Sequence, residues 1–260
     1  WKRNFGTEED ESVLHATEMI SSNGFILAGY AVKNGKQDIM IKVVDDQGEE
    51  MDLSLNYPSP SHVNSAAANY IYSTGENYFA VCTYNKVGSD GTKMIVLVMN
   101  RDLSPMVVDL VNDYDEVGKS IAAAGDDQFL ILGNRIDVRG KVETVIHMIE
   151  TEDFFPIDSY PLATISDPKA DLIAQRLLKT EDGRFAIVGT RRAEGNSDIF
   201  LHFMESNYSV AERILYGEAG EQRGADIALP LNEGLILLGT NGFGANSLIS
   251  LIRTDVAGNL

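Results

Sequence analysis

The chain has 260 residues, of which 44% are hydrophobic, and its 39 acidic and 21 basic side chains give a net charge of −18. This length and hydrophobic content are sufficient for one domain with a full core. The acidic charge excludes nucleic acids and anionic membranes as partners, since both bind basic surfaces, and no apolar run of about 20 residues predicts a membrane-spanning helix.

A short apolar strand that ends in a small residue recurs five times along the chain. The copies lie at 24–29, 78–83, 128–133, 184–189 and 234–239. Their lead apolar residues stand at 25, 79, 129, 185 and 235, so successive copies are 54, 50, 56 and 50 residues apart. A period of this size indicates a solenoid, a propeller or an array.

Three further short runs accompany each copy. The run before it lies at 13–20, 67–73, 120–124, 172–178 and 225–231. The run after it lies at 39–44, 94–99, 145–149, 199–204 and 248–254, and the fourth lies at 51–57, 106–111, 157–162, 210–216 and, for the last unit, 1–5. Short runs separated by Gly, Asn, Asp and Pro are typical of strands. The stretch 172–179 also fits a helical spacing, and the period alone assigns it to a strand.

Four strands repeated five times predict an all-β fold, a five-bladed β-propeller with four-stranded antiparallel blades. The units, at about 11–57, 65–111, 117–163, 170–217 and 223–260 with 1–6, form a single domain. The last unit lacks its fourth strand, so we expect residues 1–6 to complete the C-terminal blade and to close the ring. A linear solenoid would need polar caps at both ends, and neither terminus is polar enough.

Three stretches carry a family resemblance: GFILAGY at 24–30, TEDGRFAIVGT at 180–190, and IRTDVAGNL at 252–260 continued by WKRNFG at 1–6. They resemble the degenerate propeller repeats of exported bacterial and archaeal proteins, with Thr-x-Asp-Gly-Gly-aromatic units. The second and third units have drifted from this pattern. The resemblance implies an exported, often lipid-anchored protein of Bacteroidetes type, periplasmic or at the outer membrane or cell surface, with any leader or anchor outside this chain. It implies no activity.

The candidate site lies on the face formed by the second-to-third loops and the blade crossings, because long irregular segments tend to carry function. The loops hold nine of the basic residues and the crossings hold acids, which predicts an ionic mouth for an unknown polar ligand, a glycan or a protein. The candidate residues are Asp10, Glu11, Lys36, Asp115, Arg135, Arg191, Arg192, Asp226 and Phe243. The alternative is that these are ordinary solvated surface pairs worth about 0–1 kcal/mol each.

The sequence carries no motif of a catalytic, metal or cofactor site. Phosphate-loop, nucleophile-elbow, His-Glu-x-x-His and calcium-loop patterns are missing, so we predict no cofactor and no metal. Cys82 lies inside an apolar strand and is expected in the core, and His147 and His202 are expected to be half-buried strand residues.

We therefore expect a monomeric, non-enzymatic binding or scaffold propeller. The alternative is a carbohydrate-active enzyme that uses channel carboxylates, with Glu18, Asp171 and Asp226 as the candidates.

Overall fold

The structure is a computed structural model, and it describes residues 10–19, 23–57, 63–75, 77–86, 91–110, 114–218, 220–230, 234–242 and 247–260. These residues form nineteen strands and no helix, so none of them belongs to a membrane-spanning helix. The strands are β1 (Glu11–Met19), β2 (Gly24–Lys33), β3 (Lys36–Asp45), β4 (Glu50–Tyr57), β5 (Val63–Ser73), β6 (Tyr78–Lys86), β7 (Thr92–Met99), β8 (Pro105–Asp109), β9 (Asp115–Ala123), β10 (Gln128–Ile136), β11 (Val142–Glu152), β12 (Phe155–Ile165), β13 (Asp171–Lys179), β14 (Phe185–Ala193), β15 (Asn196–Met204), β16 (Val210–Tyr216), β17 (Gln222–Ala228), β18 (Leu235–Asn241) and β19 (Leu248–Thr254).

The strands pair antiparallel with their sequence neighbours in five successive groups, β1–β4, β5–β8, β9–β12, β13–β16 and β17–β19. One parallel bridge, between Gln37 and Ser65, joins the first two groups. The stretch with helical spacing is strand β13, paired with β14. The all-β, propeller-like fold predicted from the period is therefore confirmed. The predicted strand at 1–6 lies outside the described residues, and in the described part of the chain β19 pairs only with β18.

Neighbouring groups pack face to face, because each apolar cluster takes its residues from two successive groups. Phe79 of β6 and Phe129 of β10, for example, have ring centroids 4.2 Å apart. Cys82 is fully buried between the first two groups, and burial raises the pKa of its thiol. Its expected place in the core is confirmed.

A turn held by an Asp or Asn side chain follows the third strand in the first, second and fifth groups. The Oδ1 atom of Asp45 accepts hydrogen bonds from the N–H groups two and four residues later, at 2.9 and 2.8 Å. Gly48, three residues on, has a φ of 76°, which favours glycine. Asn100 and Asp255 make the same two bonds in the second and fifth groups. The Asp or Asn at this position therefore stabilises the turn between the third and fourth strands.

The first strand of every group carries a β-bulge at the same register. At this register the pairing skips one residue of each strand, namely Leu14, Asn69, Lys119, Gln175 and Ala225. The small residue that ends the repeated second strand lies against this bulge. A Cβ at Gly189 would overlap the carbonyl oxygen of Ile173, and a Cβ at Gly29 would overlap that of Ser12. In the four groups where this residue is a glycine, it leaves room for the bulged strand; the second group has Thr83.

Candidate functional site

The five bulges meet at one cavity of about 300 Å³, which we call the bulge cavity. Its walls come from all five first strands, and each strand contributes its bulged residue. The lining residues are Leu14, His15, Asn69, Tyr70, Lys119, Gln175, Arg176, Ala225 and Asp226. A bulge re-aims side chains that a regular strand would bury between sheets, which explains why polar groups collect here.

Arg176 of β13 contacts residues of three other first strands. Its Nη1 lies 3.3 Å from Nε2 of His15, and its Nε lies 3.3 Å from Oδ1 of Asp226. Its guanidinium carbon lies 4.0 Å from the ring centroid of Tyr70, within cation–π range. The Nε atom makes no hydrogen bond, so its contact with Asp226 is an ion pair without hydrogen-bond alignment. Arg176 thus links β1, β5 and β17 around the cavity.

His15 is uncharged at neutral pH. Burial first, and then the charge of Arg176, lower the pKa of its imidazole to about 4, although Asp226 acts in the opposite direction. Its ring stacks on Tyr70 with centroids 3.8 Å apart. A guanidinium can only donate, and the backbone N–H of Ile71 faces the other ring nitrogen, Nδ1, at 3.4 Å. A neutral ring has one acceptor nitrogen, so it accepts from either Arg176 at Nε2 or Ile71 at Nδ1.

Tyr70 and Lys119 complete the titratable lining. Burial raises the pKa of Tyr70 to about 12 even though Arg176 lowers it, so the phenol keeps its proton at neutral pH. Burial lowers the pKa of Lys119. The cavity therefore offers one carboxylate, one protonated phenol, one neutral imidazole and two basic side chains.

Arg191 and Arg192 of the predicted ionic mouth are occupied by ion pairs outside the bulge cavity. Arg191 Nε lies 2.9 Å from Asp167 Oδ2, and Arg213 lies 2.8 Å from the same oxygen. Burial would raise the pKa of Asp167, but a hydrogen bond from the backbone N–H of Lys169 and the two arginines outweigh it and lower the pKa to about 2. Arg192 lies 2.7 Å from the carboxylate of Asp171.

Three of the remaining candidates also lie in local contacts. Arg135 lies 2.8 Å from Glu143 and over the ring of Tyr114. Glu11 lies 3.5 Å from Lys42. Asp115 accepts a hydrogen bond from the N–H of the residue that begins β7, at 3.1 Å. Asp10 is exposed, Lys36 is half-buried, and Phe243 lies outside the described residues. Of the nine, Asp226 lines the cavity in the part of the chain that the structure describes.

The three channel carboxylates do not meet. Glu18 is exposed on β1, and Asp171 is paired with Arg192, so Asp226 is left as the carboxylate of the cavity among the described residues. The expectation that His147 and His202 are half-buried is wrong, since both are buried. They lie on central strands that are covered on both faces by neighbouring sheets.

Four lining residues have little to mark them in the sequence. His15 stands alone, Tyr70 fits an apolar strand, and Lys119 and Arg176 lie in runs without a motif. The repeat register could have located them. The bulged residue stands 14 positions before the small residue that closes the second strand, or 15 in the first unit. Positions that share a register share a place in a repeat fold.

No protein-family model matches this sequence, and neither does any curated protein. Solved structures do match in fold. The endo-arabinase from Bacteroides thetaiotaomicron superposes with a TM-score of 0.56 at 13% identity over 92% of both chains. The alpha-L-arabinanase of Penicillium chrysogenum, complexed with arabinobiose, gives 0.54 at 12% identity over 91% of this chain and 73% of its own. A puromycin hydrolase gives 0.56 at 14% identity over 89% of this chain and 35% of its own.

These comparisons overturn the expectation of a non-enzymatic binding or scaffold module. The three matched proteins bear the names of enzymes: an endo-arabinase, an alpha-L-arabinanase and a puromycin hydrolase. The likeness itself shows a shared fold. Between the two functions that the sequence left open, the comparisons favour the carbohydrate-active enzyme, and the expectation that the protein is not an enzyme is wrong.

Proposed function

We propose that this protein is a carbohydrate-active enzyme of the glycosidase type and that the bulge cavity is its active site. One observation carries the proposal: five first strands bring a carboxylate (Asp226), a phenol (Tyr70) and an imidazole (His15) together in one cavity. Reactive groups held on strands keep their geometry better than groups on loops. The fold shared with two arabinanases supports carbohydrate as the substrate class.

Asp226 is the group that we assign to proton transfer. Cleavage of a glycosidic bond needs an acid that protonates the leaving oxygen. About half of the Asp226 side chain (52%) is exposed, so it can exchange protons with water while lining the cavity. Arg176, 3.3 Å away, restricts where the carboxylate can lie and acts as a positioning residue.

Tyr70 is the group that we assign to the second role. Most glycosidases use two carboxylates, but some use a tyrosine as the nucleophile. The Tyr70 ring lies against Arg176, whose charge favours the phenolate that forms when the hydroxyl loses its proton. In the free protein burial keeps the phenol protonated. In the proposed step the Asp226 carboxylate takes this proton once the sugar has bound, the phenolate attacks the anomeric carbon, and Asp226 gives the same proton to the leaving oxygen. Water then cleaves the bond between the sugar and Tyr70, and its proton returns to the phenolate through Asp226.

Release of reducing sugar from a panel of polysaccharides and oligosaccharides, arabinan among them, tests this function. We expect the wild-type protein to cleave at least one member and Asp226→Asn to lower kcat about 100-fold or more, the usual effect of losing a general acid. Glu18→Gln and Asp171→Asn are matched controls, because they remove carboxylates that do not line the cavity, and they should keep wild-type turnover.

Two outcomes would contradict the proposal. One is a wild-type protein that cleaves nothing in the panel. The other is an Asp226→Asn variant that cleaves as fast as the two control variants, which would place the proton-transferring group elsewhere.

We also propose that the five groups form a closed five-bladed ring in which residues 1–6 pair with β19. The equal register of the five bulges supports five equivalent units. The exposed side chains of Leu248, Ile249 and Leu251, 68–81% accessible, support an added strand at this edge. Export, which the repeat resemblance implies, would bring such an enzyme to glycans outside the cell.

A further inference from the structure

The charges of the bulge cavity point to the kind of sugar that it takes, an inference that rests on the proposed function. We infer that the substrate carries a carboxylate and that Lys119 and Arg176 hold it. The inference follows from the pairing state of these two cations and from the charge balance of the cavity.

Lys119 is a cation with no counter-ion among the described residues. It is the bulged residue of β9, it lines the cavity, and it is half-buried. In the part of the chain that the structure describes, its ammonium makes no hydrogen bond or ion pair with the protein. Partial burial of an unpaired charge costs free energy, and burial lowers the pKa of Lys119 for this reason. An anion bound in the cavity would offset that cost.

Arg176 keeps donors for a ligand. A guanidinium has five N–H groups; one faces His15, and Nε makes no hydrogen bond although Asp226 lies 3.3 Å away. The remaining fork matches the planar geometry of a carboxylate, which arginine binds through two parallel hydrogen bonds. Arg176 can therefore hold Asp226 in place and still bind an acidic group of the sugar.

The cavity differs in charge from the whole protein. Lys119 and Arg176 face one carboxylate, Asp226, and His15 is neutral, so the described lining has a net charge of about +1. The chain as a whole carries −18. A neutral sugar would need only groups such as the Gln175 amide. Two basic side chains in an acidic protein favour an anionic ligand, because opposite charge raises the local concentration of that ligand.

Calorimetric titration of the wild-type protein with free monosaccharides tests the inference without any cleavage. The probes are galacturonate, glucuronate and N-acetylneuraminate, with galactose and glucose as the neutral counterparts of the first two and galactose 6-sulfate as another anion. We expect at least one carboxylated sugar to bind about tenfold or more tightly than the neutral sugars and the sulfate. In Lys119→Gln the loss of a charged hydrogen bond should weaken binding of that carboxylated sugar about tenfold to a hundredfold.

Lys119→Gln places at this bulge the residue that the fourth group has at its own bulge, Gln175, so the fold should tolerate it. Lys179→Met, at the exposed end of β13, is the matched control and should keep the preference. Four results would each overturn the inference: equal binding of acidic and neutral sugars, binding of neither, tighter binding of the sulfate, or a preference for the acidic sugar that remains in Lys119→Gln. If the protein then cleaved a neutral glycan, the proposed function would still hold without this inference. Lys119-dependent binding of an acidic sugar with no cleavage of any glycan would instead contradict the proposed function.

Discussion

Two buried histidines on third strands have different surroundings. Nε2 of His147 lies 2.9 Å from Glu116, much as Lys42 lies 3.5 Å from Glu11 in the first group. Neither ring nitrogen of His202 has a hydrogen-bond partner among the described residues. Burial first, and then the charge of Arg213, lower the pKa of His202 to about 4. The protein therefore holds this imidazole in its neutral form.

The stability of the protein should depend on pH through His202. In the unfolded chain His202 binds a proton as the pH falls below 6.5, whereas in the folded protein it does so only near pH 4. The free energy of unfolding is therefore highest above pH 6.5 and falls as the pH drops from 6.5 to 4. At pH 5 the loss from this residue is about 2 kcal/mol. We expect acidification from pH 8 to pH 5 to lower the free energy of unfolding of His202→Leu by about that amount less than it lowers that of the wild type. Urea titration at the two pH values measures both. Parallel pH profiles of the two proteins would contradict the account.

At the scale of single elements, the turn between the third and fourth strands is held by an aspartate in the first group and by an asparagine in the second. Asp45 accepts two backbone hydrogen bonds, and Asn100 accepts the same two in the second group. We expect Asp45→Ala to lower the free energy of unfolding by about 1–2 kcal/mol, since two hydrogen bonds are lost. Asp45→Asn should stay within about 0.5 kcal/mol of the wild type. Equal destabilisation of both variants in a denaturant titration would show that charge matters here instead of the hydrogen bonds.

The strands could be predicted because burial between sheets imposes a pattern on composition, as in the apolar second strands at 128–133 and 184–189. The helical spacing of 172–179 was resolved by the period, since β13 must follow the register of the other first strands. The bulges have no such pattern. Any residue type can occupy a bulge, and the five found here range from Ala225 to Lys119. For that reason the sequence did not predict the bulge cavity as the site. It predicted the loop face instead, because the charged residues there are conspicuous.

For the whole molecule, residues 1–6 should contribute strongly to stability if they complete the fifth blade. Deleting them should leave the β19 edge open, lower the melting temperature and promote self-association, because unpaired edges invite pairing between chains. Burial of Trp1 and Phe5 would account for about 1.5–3 kcal/mol each. Replacing Lys2 and Arg3 by alanine is the control and should change little. A deletion variant that stays monomeric with an unshifted melting temperature would contradict the closed ring.

A crystal structure of the Asp226→Asn variant with the glycan that the wild type cleaves would show whether the sugar binds in the bulge cavity. We expect density for a sugar in contact with Tyr70, Lys119 and Arg176, with its scissile oxygen within about 3.2 Å of the residue 226 side chain. A sugar bound instead on the loop surface near Arg191 and Arg192, with the bulge cavity empty, would contradict the proposed active site.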